Sequence, residues 1–160
     1  MHGILVTLTL LTCLGCGLTA GVFFAFSAFV MRALARLPPA EGIAAMQSVN
    51  AAAVAPAFMT ALFGTAAACV VLTIWSIVNW HQPYAVYLLT GSVLYLAGAI
   101  AVTAAYHVPR NNALDRVPPD SANAPAQWNR YLAAWTAGNH LRAVAAIAAL
   151  AMFSLALTTS

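Results

Sequence analysis

The sequence predicts an all-α fold, a four-transmembrane-helix bundle formed by a single domain. The first observation is composition: of 160 residues, 63% are hydrophobic and 6% are charged, with a mean hydropathy of +0.87, whereas soluble domains carry about 25% charged residues. The second is that the run 42–106 contains no Asp, Glu, Lys or Arg. The third is length, because a helical crossing takes about 20 residues. The chain therefore has room for four or five spans and for no second soluble domain.

The first span is predicted at residues 4–30. It lacks the basic start of a cleaved signal, and its uncharged run exceeds the roughly 7 to 15 residues of a signal core, so we expect this span to be retained. Gly17 and Gly21 allow another helix to approach closely. That helix could belong to the same bundle or to a second copy, so the sequence is compatible with a homo-oligomer. Arg32 and Arg36 then end the span.

A short amphipathic helix is predicted before the second span. At 100° per residue, one stripe contains Ile43, Met46, Asn50, Ala53 and Val54. Asn50 is therefore a polar group in an apolar face. The second span, 57–77, follows a proline typical of a first helical turn.

The third span is predicted at 85–106, and we expect Pro109 to end it because proline disfavours helix at the preceding residue. A polar loop, 110–124, leads to a long last helix whose membrane span is predicted at 133–157. The apolar part after Arg142 is only about 22 Å long at 1.5 Å per residue. This part cannot span the membrane alone, so we expect Asn139 and Arg142 to lie at or slightly below the membrane surface. The beginning of the helix is expected to extend into the cytoplasm.

The arginines predict the orientation in the membrane. They follow the first and third spans, whereas the connection between the second and third spans has none. The positive-inside rule then places the Arg-bearing loops in the cytoplasm and both termini outside. We expect a bacterial-type inner (plasma) membrane. The net charge is only +3 and is not concentrated in a patch, so nothing indicates a nucleic acid partner.

One face of the last helix carries an aromatic and polar stripe. Its members, spaced by 3, 4, 4 and 3 residues within an arc of about 80°, are Trp128, Tyr131, Trp135, Asn139 and Arg142. Polar groups at this depth are costly unless they find partners, and they commonly mark functional sites or contacts inside a bundle. The partners expected on the same side of the membrane are His107, Asn111, Asn112 and Asn50. His140 projects about 100° away from the stripe, which favours His107 as the site histidine.

Other interpretations of these residues remain open. Arg142 could anchor the helix at the head groups, the tryptophans could form an interfacial belt, and the asparagines could cap helix ends. A haem or metal site built from His107 and His140 uses a common ligand type, but no spacing supports it, and we predict no metal. Cys13 and Cys16 lack the polar surroundings that activate a thiol. Phosphate-binding loops and hydrolase motifs are absent from the sequence.

Two motifs near the C-terminus are specific: V-P-x-N-x-x-L at 108–114 and W-x6-W-x3-N-x2-R at 128–142. A wider pattern precedes them and comprises Phe26-Ser27, Val30-Met31, Ala45-Met46-Gln47, Asn50 and Pro56. In this order the motifs resemble the anthrone oxygenase family, also called the DUF1772 membrane proteins. Two positions depart from it, since Ala55 stands where many members have Asn and Arg32 where others have Pro.

The resemblance implies that dioxygen oxidises an anthrone, a tricyclic phenolic ketone, to an anthraquinone without an organic cofactor. The methylene of such a substrate is acidic, so the protein would take a proton, hold a flat ring and stabilise an oxyanion. His107 would be the base, and Arg142, Asn139 and Asn111 the oxyanion partners. The substrate-binding residues would be Trp128, Tyr131, Trp135, Asn50 and Asn112.

The main alternative is a membrane protein without catalytic activity. It would bind a small hydrophobic or quinone-like molecule, or support a protein partner in the bilayer, through the same residues. A haem-binding or metal-binding membrane protein is the third possibility.

Overall fold

The computed structural model describes residues 3–159, and this part of the chain forms helices without any strand. The helices are α1 (Gly3–Leu34), α2 (Pro39–Ala52), α3 (Pro56–Val78), α4 (Ala85–Leu114) and α5 (Ala124–Thr158). All except α2 are long and apolar enough to cross a membrane. The prediction of an all-α protein with four spans is confirmed, and the chain is an integral membrane protein.

The four long helices form a closed ring, in which α1 and α4 each contact both α3 and α5. Tyr95 of α4 lies at the centre of this ring and is fully buried. Its hydroxyl lies 3.1 Å from Thr19 Oγ1 of α1 and donates a hydrogen bond of 3.2 Å to the Leu62 carbonyl of α3. One side chain thus links three spans. Such a bond satisfies polar groups that lipid cannot.

Small residues set the distance between α4 and α5. A methyl group added to Gly98 of α4 would collide with the side chain of Ala145 of α5. Close approach of this kind increases van der Waals contact between helices, which drives association where lipid provides no hydrophobic force.

The short helix α2 covers one end of the bundle. Its Gly42 lies against Trp128 of α5, where an added methyl group would come within 2.7 Å of the indole ring. Gln47 of α2 donates two hydrogen bonds of 3.0 Å, to the carbonyls of Leu114 and Val117. The short helix before the second span is therefore confirmed. It ends at Ala52, so the last two members of the predicted stripe lie in the connection to α3.

The prediction that Pro109 ends the third span is wrong, because α4 continues to Leu114. In a regular α-helix the proline ring would clash with the carbonyl four residues earlier. Here a wider π-helical turn, Thr103–His107, comes directly before this segment and leaves room for the ring. Arg110 Nη1 then donates a 2.9 Å hydrogen bond to the carbonyl of Tyr106. As a result, the loop between α4 and α5 is shorter than predicted and covers 115–123.

Candidate functional site

The stripe predicted on the last helix is buried in full. Each of its five members has less than a tenth of its surface exposed, and they are Trp128, Tyr131, Trp135, Asn139 and Arg142. They face the end of α4 and the π-helical turn of α1 at Phe26–Val30. π-helical turns are frequent at functional sites, and here α1 contains one, at Phe26–Val30, and α4 contains two, at Leu94–Ala101 and Thr103–His107.

A cavity of about 320 Å³ lies beside this stripe, a volume typical of a small-molecule site. Most of its wall is apolar and comes from α1, α2, α3 and the connection between α2 and α3. Its apolar lining includes Phe23, Phe26, Met46, Val49, Phe58, Met59 and Leu62. Its polar lining consists of Asn50, Thr103, His107, Asn111 and Arg142, with Trp135 beside them.

His107 is 1% exposed, and within residues 3–159 neither of its ring nitrogens makes a hydrogen bond. The imidazole is held instead by aromatic edges, with Trp135 at 4.9 Å and Tyr106 at 5.4 Å between ring centroids. The backbone of Gly138 lies close to Nε2 but outside hydrogen-bond geometry. A buried polar group without a partner is costly in a native protein. His107 is therefore a buried histidine at the cavity wall whose ring nitrogens have no hydrogen-bond partner within residues 3–159.

Asn111 has a fixed amide orientation. Its side-chain oxygen accepts two hydrogen bonds of 2.9 Å, from the Tyr131 hydroxyl and from Trp135 Nε1. Because both partners are donors, they must face the oxygen and not the amide nitrogen. The amide nitrogen of Asn111 therefore remains a free donor at the cavity.

Arg142 is 6% exposed and is held by neutral groups. Its Nη1 donates to Thr103 Oγ1 at 3.1 Å and its Nη2 donates to Asn139 Oδ1 at 2.7 Å, whereas Nε has no partner. The guanidinium carbon lies 4.3 Å from the centroid of the Phe23 ring and 5.2 Å from that of Trp135. No carboxylate contacts this cation within residues 3–159. An anionic ligand oxygen would supply the missing counter-charge.

Asn139 holds Arg142 in place and does not line the cavity. Both hydrogen bonds from its amide nitrogen go to α1, at 2.7 Å to the Phe23 carbonyl and 2.8 Å to Ser27 Oγ. The amide oxygen is thereby left for Arg142. Within residues 3–159 both amide hydrogens and the amide oxygen of Asn139 are engaged, so no donor is left for a substrate oxyanion.

The other predicted substrate-binding residues differ in their position. Asn50 lines the cavity and donates a 3.2 Å hydrogen bond to Asp115. Tyr131 donates its hydroxyl hydrogen bond to Asn111, and Trp128 stacks on Tyr131 at 5.8 Å between ring centroids. Neither of them lines the cavity. Of the three aromatic residues predicted to bind the substrate, Trp135 is the one that lines it. Asn112 is exposed and also lies outside the cavity lining.

Several cavity residues were not predicted from the sequence. Phe23 and Phe26 belong to the aromatic end of the first span, but their spacing does not distinguish a cavity wall from a lipid-facing surface. Thr103 is one turn before His107, and nothing in the sequence connects it to Arg142.

The structure does not bring His107 and His140 together at one site, because His140 is exposed and is not among the cavity residues. Within residues 3–159, no group of three or more His, Cys, Asp or Glu side chains could hold a metal ion.

Comparison with known protein families shows the family to which the chain belongs. The model of a family described as anthrone oxygenase matches residues 55–152. The protein belongs to the anthrone oxygenase family. No curated protein and no solved structure matches it.

The match to the anthrone oxygenase family covers α3, α4 and most of α5. It therefore includes the polar cavity residues His107, Asn111 and Arg142. The α1 and α2 side of the cavity, with Phe23 and Asn50, lies outside the match.

Proposed function

We propose that this member of the anthrone oxygenase family is a membrane oxygenase that uses dioxygen to oxidise a planar phenolic aromatic of the anthrone type to a quinone. One observation carries the proposal. In the described part of the chain, His107 has no hydrogen bond and Arg142 has no carboxylate partner, and both line the same largely apolar cavity. The cavity otherwise offers aromatic and aliphatic surface, which suits a flat ring system.

His107 acts as the general base in this proposal. Oxidation of an anthrone begins when its methylene loses a proton, and the resulting anion is delocalised onto the oxygen of the ketone. A free imidazole nitrogen can accept that proton, and a positioned base contributes about 10²–10⁴-fold to a rate. The T-shaped contact with Trp135 fixes the plane of the imidazole, so the ring is oriented before the substrate arrives.

Arg142 and Asn111 stabilise the negative oxygen of the delocalised anion. Both are donors fixed by neighbouring groups, Arg142 by Asn139 and Thr103 and Asn111 by two aromatic donors. Donors that are already oriented do not have to reorganise during the reaction, and each contributes on the order of 10²–10³-fold.

The substrate and dioxygen together account for all atoms and electrons. The carbanion gives its electron pair to dioxygen, a carbon–oxygen bond forms, and the resulting peroxide takes up a proton. The second methylene hydrogen then leaves as a proton, the oxygen–oxygen bond breaks, and the products are the new ketone and water. The four-electron oxidation of the methylene matches the four-electron reduction of dioxygen. The reaction therefore requires neither an external reductant nor an organic cofactor.

The proposal is tested by measuring oxygen uptake and quinone formation with anthrone in proteoliposomes. Because anthrones also oxidise spontaneously, protein-free liposomes give the background. We expect His107→Ala to lose about 10²–10⁴-fold of the catalysed rate, and the matched His140→Ala, outside the cavity, to keep it. A wild-type rate equal to the background would contradict catalysis. If the protein then still bound anthraquinone, the alternative of a non-catalytic binding protein would be supported.

For the orientation, we propose that the Arg-bearing loops face the cytoplasm and both termini face outward, as the positive-inside rule predicts. A protease site inserted in the loop 115–123 should be cut in inside-out vesicles and protected in right-side-out ones. The opposite pattern would reverse the orientation.

A further inference from the structure

The cavity has an edge at the side of the bundle, between α1 and α3. On this side three of its apolar lining residues are exposed: Val22 of α1 is 39% exposed, Phe63 of α3 is 56% exposed, and Val54 in the connection before α3 is 67% exposed. We call these three residues the mouth. The other large apolar lining residue that is exposed, Val108 at 43%, belongs to α4 and follows His107. A lining residue that is also exposed belongs both to the cavity and to the outer surface of the protein.

The mouth is continuous with the part of the surface that faces lipid. On α1, Val22 continues a stripe of exposed leucines at Leu11, Leu14 and Leu18, spaced by three and four residues. On α3, Phe63 begins a stripe that continues through the exposed Val70, Ile74 and Ile77. Residues at these spacings share one face of a helix. In a membrane span such a face is covered by acyl chains, so the mouth opens toward the bilayer.

The wall that α4 and α5 contribute to the cavity is polar. His107, Asn111 and Arg142 lie there, and of these Arg142 is a buried cation without a carboxylate partner within residues 3–159. The cavity therefore changes from apolar at the mouth to hydrogen-bonding and cationic at this wall. A ligand that fits this gradient has an apolar body and an acidic oxygen at one edge.

We infer that the ligand enters sideways from the bilayer, through the mouth between α1 and α3, and that it is a membrane-dissolved aromatic acid of the phenol type. It travels with its acidic oxygen toward Arg142 and Asn111, so its apolar edge is the last to leave the lipid. The inference rests on the proposed function for the site and for the phenolic class of the substrate, and it adds the route by which the substrate enters. Entry from the membrane also keeps water out, which strengthens the electrostatic interactions inside.

The test measures binding kinetics and does not depend on turnover. The probe is a dihydroxyanthraquinone mixed with phosphatidylcholine proteoliposomes, and binding is followed by its absorption change. Val22→Trp narrows the mouth, and the matched control Val70→Trp makes the same change at an exposed valine of α3 outside the cavity. A narrower passage raises the barrier equally in both directions. We therefore expect association and dissociation to slow together by about tenfold or more in Val22→Trp, with an unchanged Kd and with no effect in the control.

A widening variant extends the test. Phe63→Ala should accelerate association and dissociation together. The inference is overturned if Val22→Trp binds at the wild-type rate, if Val70→Trp slows binding equally, or if the wild type shows no saturable binding. A protein that binds the probe through the mouth but does not oxidise anthrone would keep this inference and contradict the proposed function. Oxidation of anthrone at a rate that Val22→Trp and Phe63→Ala leave unchanged would keep the proposed function and contradict this inference.

Discussion

Arg142 donates a 2.7 Å hydrogen bond to the side-chain oxygen of Asn139, one turn earlier on α5. Asn139 is itself fixed by the carbonyl of Phe23 and the hydroxyl of Ser27, both on α1. The direction of the guanidinium therefore depends on how α1 and α5 pack. This connection makes the geometry of the cavity a property of the bundle and not of one helix.

Asn139→Ala should both destabilise the protein and reduce its activity. The substitution removes the hydrogen bonds of Asn139 to the Phe23 carbonyl, Ser27 Oγ and Arg142 Nη2. Losing partners for buried polar groups costs about 1–3 kcal/mol of the free energy of unfolding. Denaturant unfolding in detergent and the kcat of anthrone oxidation are the two measurements. Asn129→Ala, at an exposed asparagine of the same helix, should change stability by less than about 0.5 kcal/mol. Equal effects of the two variants would show that the Asn139 hydrogen bonds are not specific.

Arg142→Lys should lower kcat/KM by about 10–10³-fold although the positive charge is kept. An ammonium cannot reproduce the fork that reaches Thr103 and Asn139 at the same time. Steady-state kinetics of quinone formation provide the measurement, with Arg130→Lys as the control because Arg130 is exposed and is not among the residues that line the cavity. Wild-type kinetics in Arg142→Lys would mean that only the charge matters.

Tyr131→Phe and Trp135→Phe should each remove one of the two donors that orient Asn111. We expect each single variant to lose about 0.5–1.5 kcal/mol of transition-state stabilisation. The double variant should lose more than their sum, because the amide is then free to rotate. The test is a double-mutant cycle in kcat/KM. Tyr106→Phe removes a hydrogen bond to the Ala134 carbonyl that does not involve Asn111, so it should show no coupling with Tyr131→Phe. Additive effects of Tyr131→Phe and Trp135→Phe would contradict this role for Asn111.

Gly42→Ala should destabilise the covering helix α2. The new methyl group would lie 2.7 Å from the Trp128 ring, and overpacking of this kind costs about 1–3 kcal/mol. The thermal midpoint in detergent is the measurement. At Gly21 the new methyl group of Gly21→Ala would meet no atom within 4 Å among residues 3–159, apart from its chain neighbours and the backbone of its own helix. This variant should leave the midpoint unchanged or raise it. A tolerated Gly42→Ala would show that α2 is not tightly seated on α5.

The sequence was sufficient to predict the spans and the buried face of α5. Long uncharged apolar runs define crossings, and the helical period places Trp128 and Arg142 on one side. The same reasoning failed at Pro109, because the local rule for proline does not foresee a π-helical turn that accommodates the ring.

The division of roles within the candidate site could not be predicted. Helical spacing places Asn139 and Arg142 on the same face and does not distinguish their roles. The hydrogen bonds to Phe23 and Ser27 show that both amide hydrogens of Asn139 are already used. In the same way, Asn112 adjoins Asn111 in the sequence yet is exposed. These distinctions depend on contacts between helices, which no periodicity within one helix contains.

The proposed role of His107 as a base is tested most directly in the absence of oxygen. Proton removal does not require dioxygen, so the anaerobic protein in deuterated buffer should exchange the methylene hydrogens of anthrone for deuterium. We predict exchange faster than in protein-free liposomes for the wild type and His140→Ala, and a loss of about 10²–10⁴-fold of the catalysed part in His107→Ala. Exchange in His107→Ala at the wild-type rate, or wild-type exchange no faster than the background, would contradict the account.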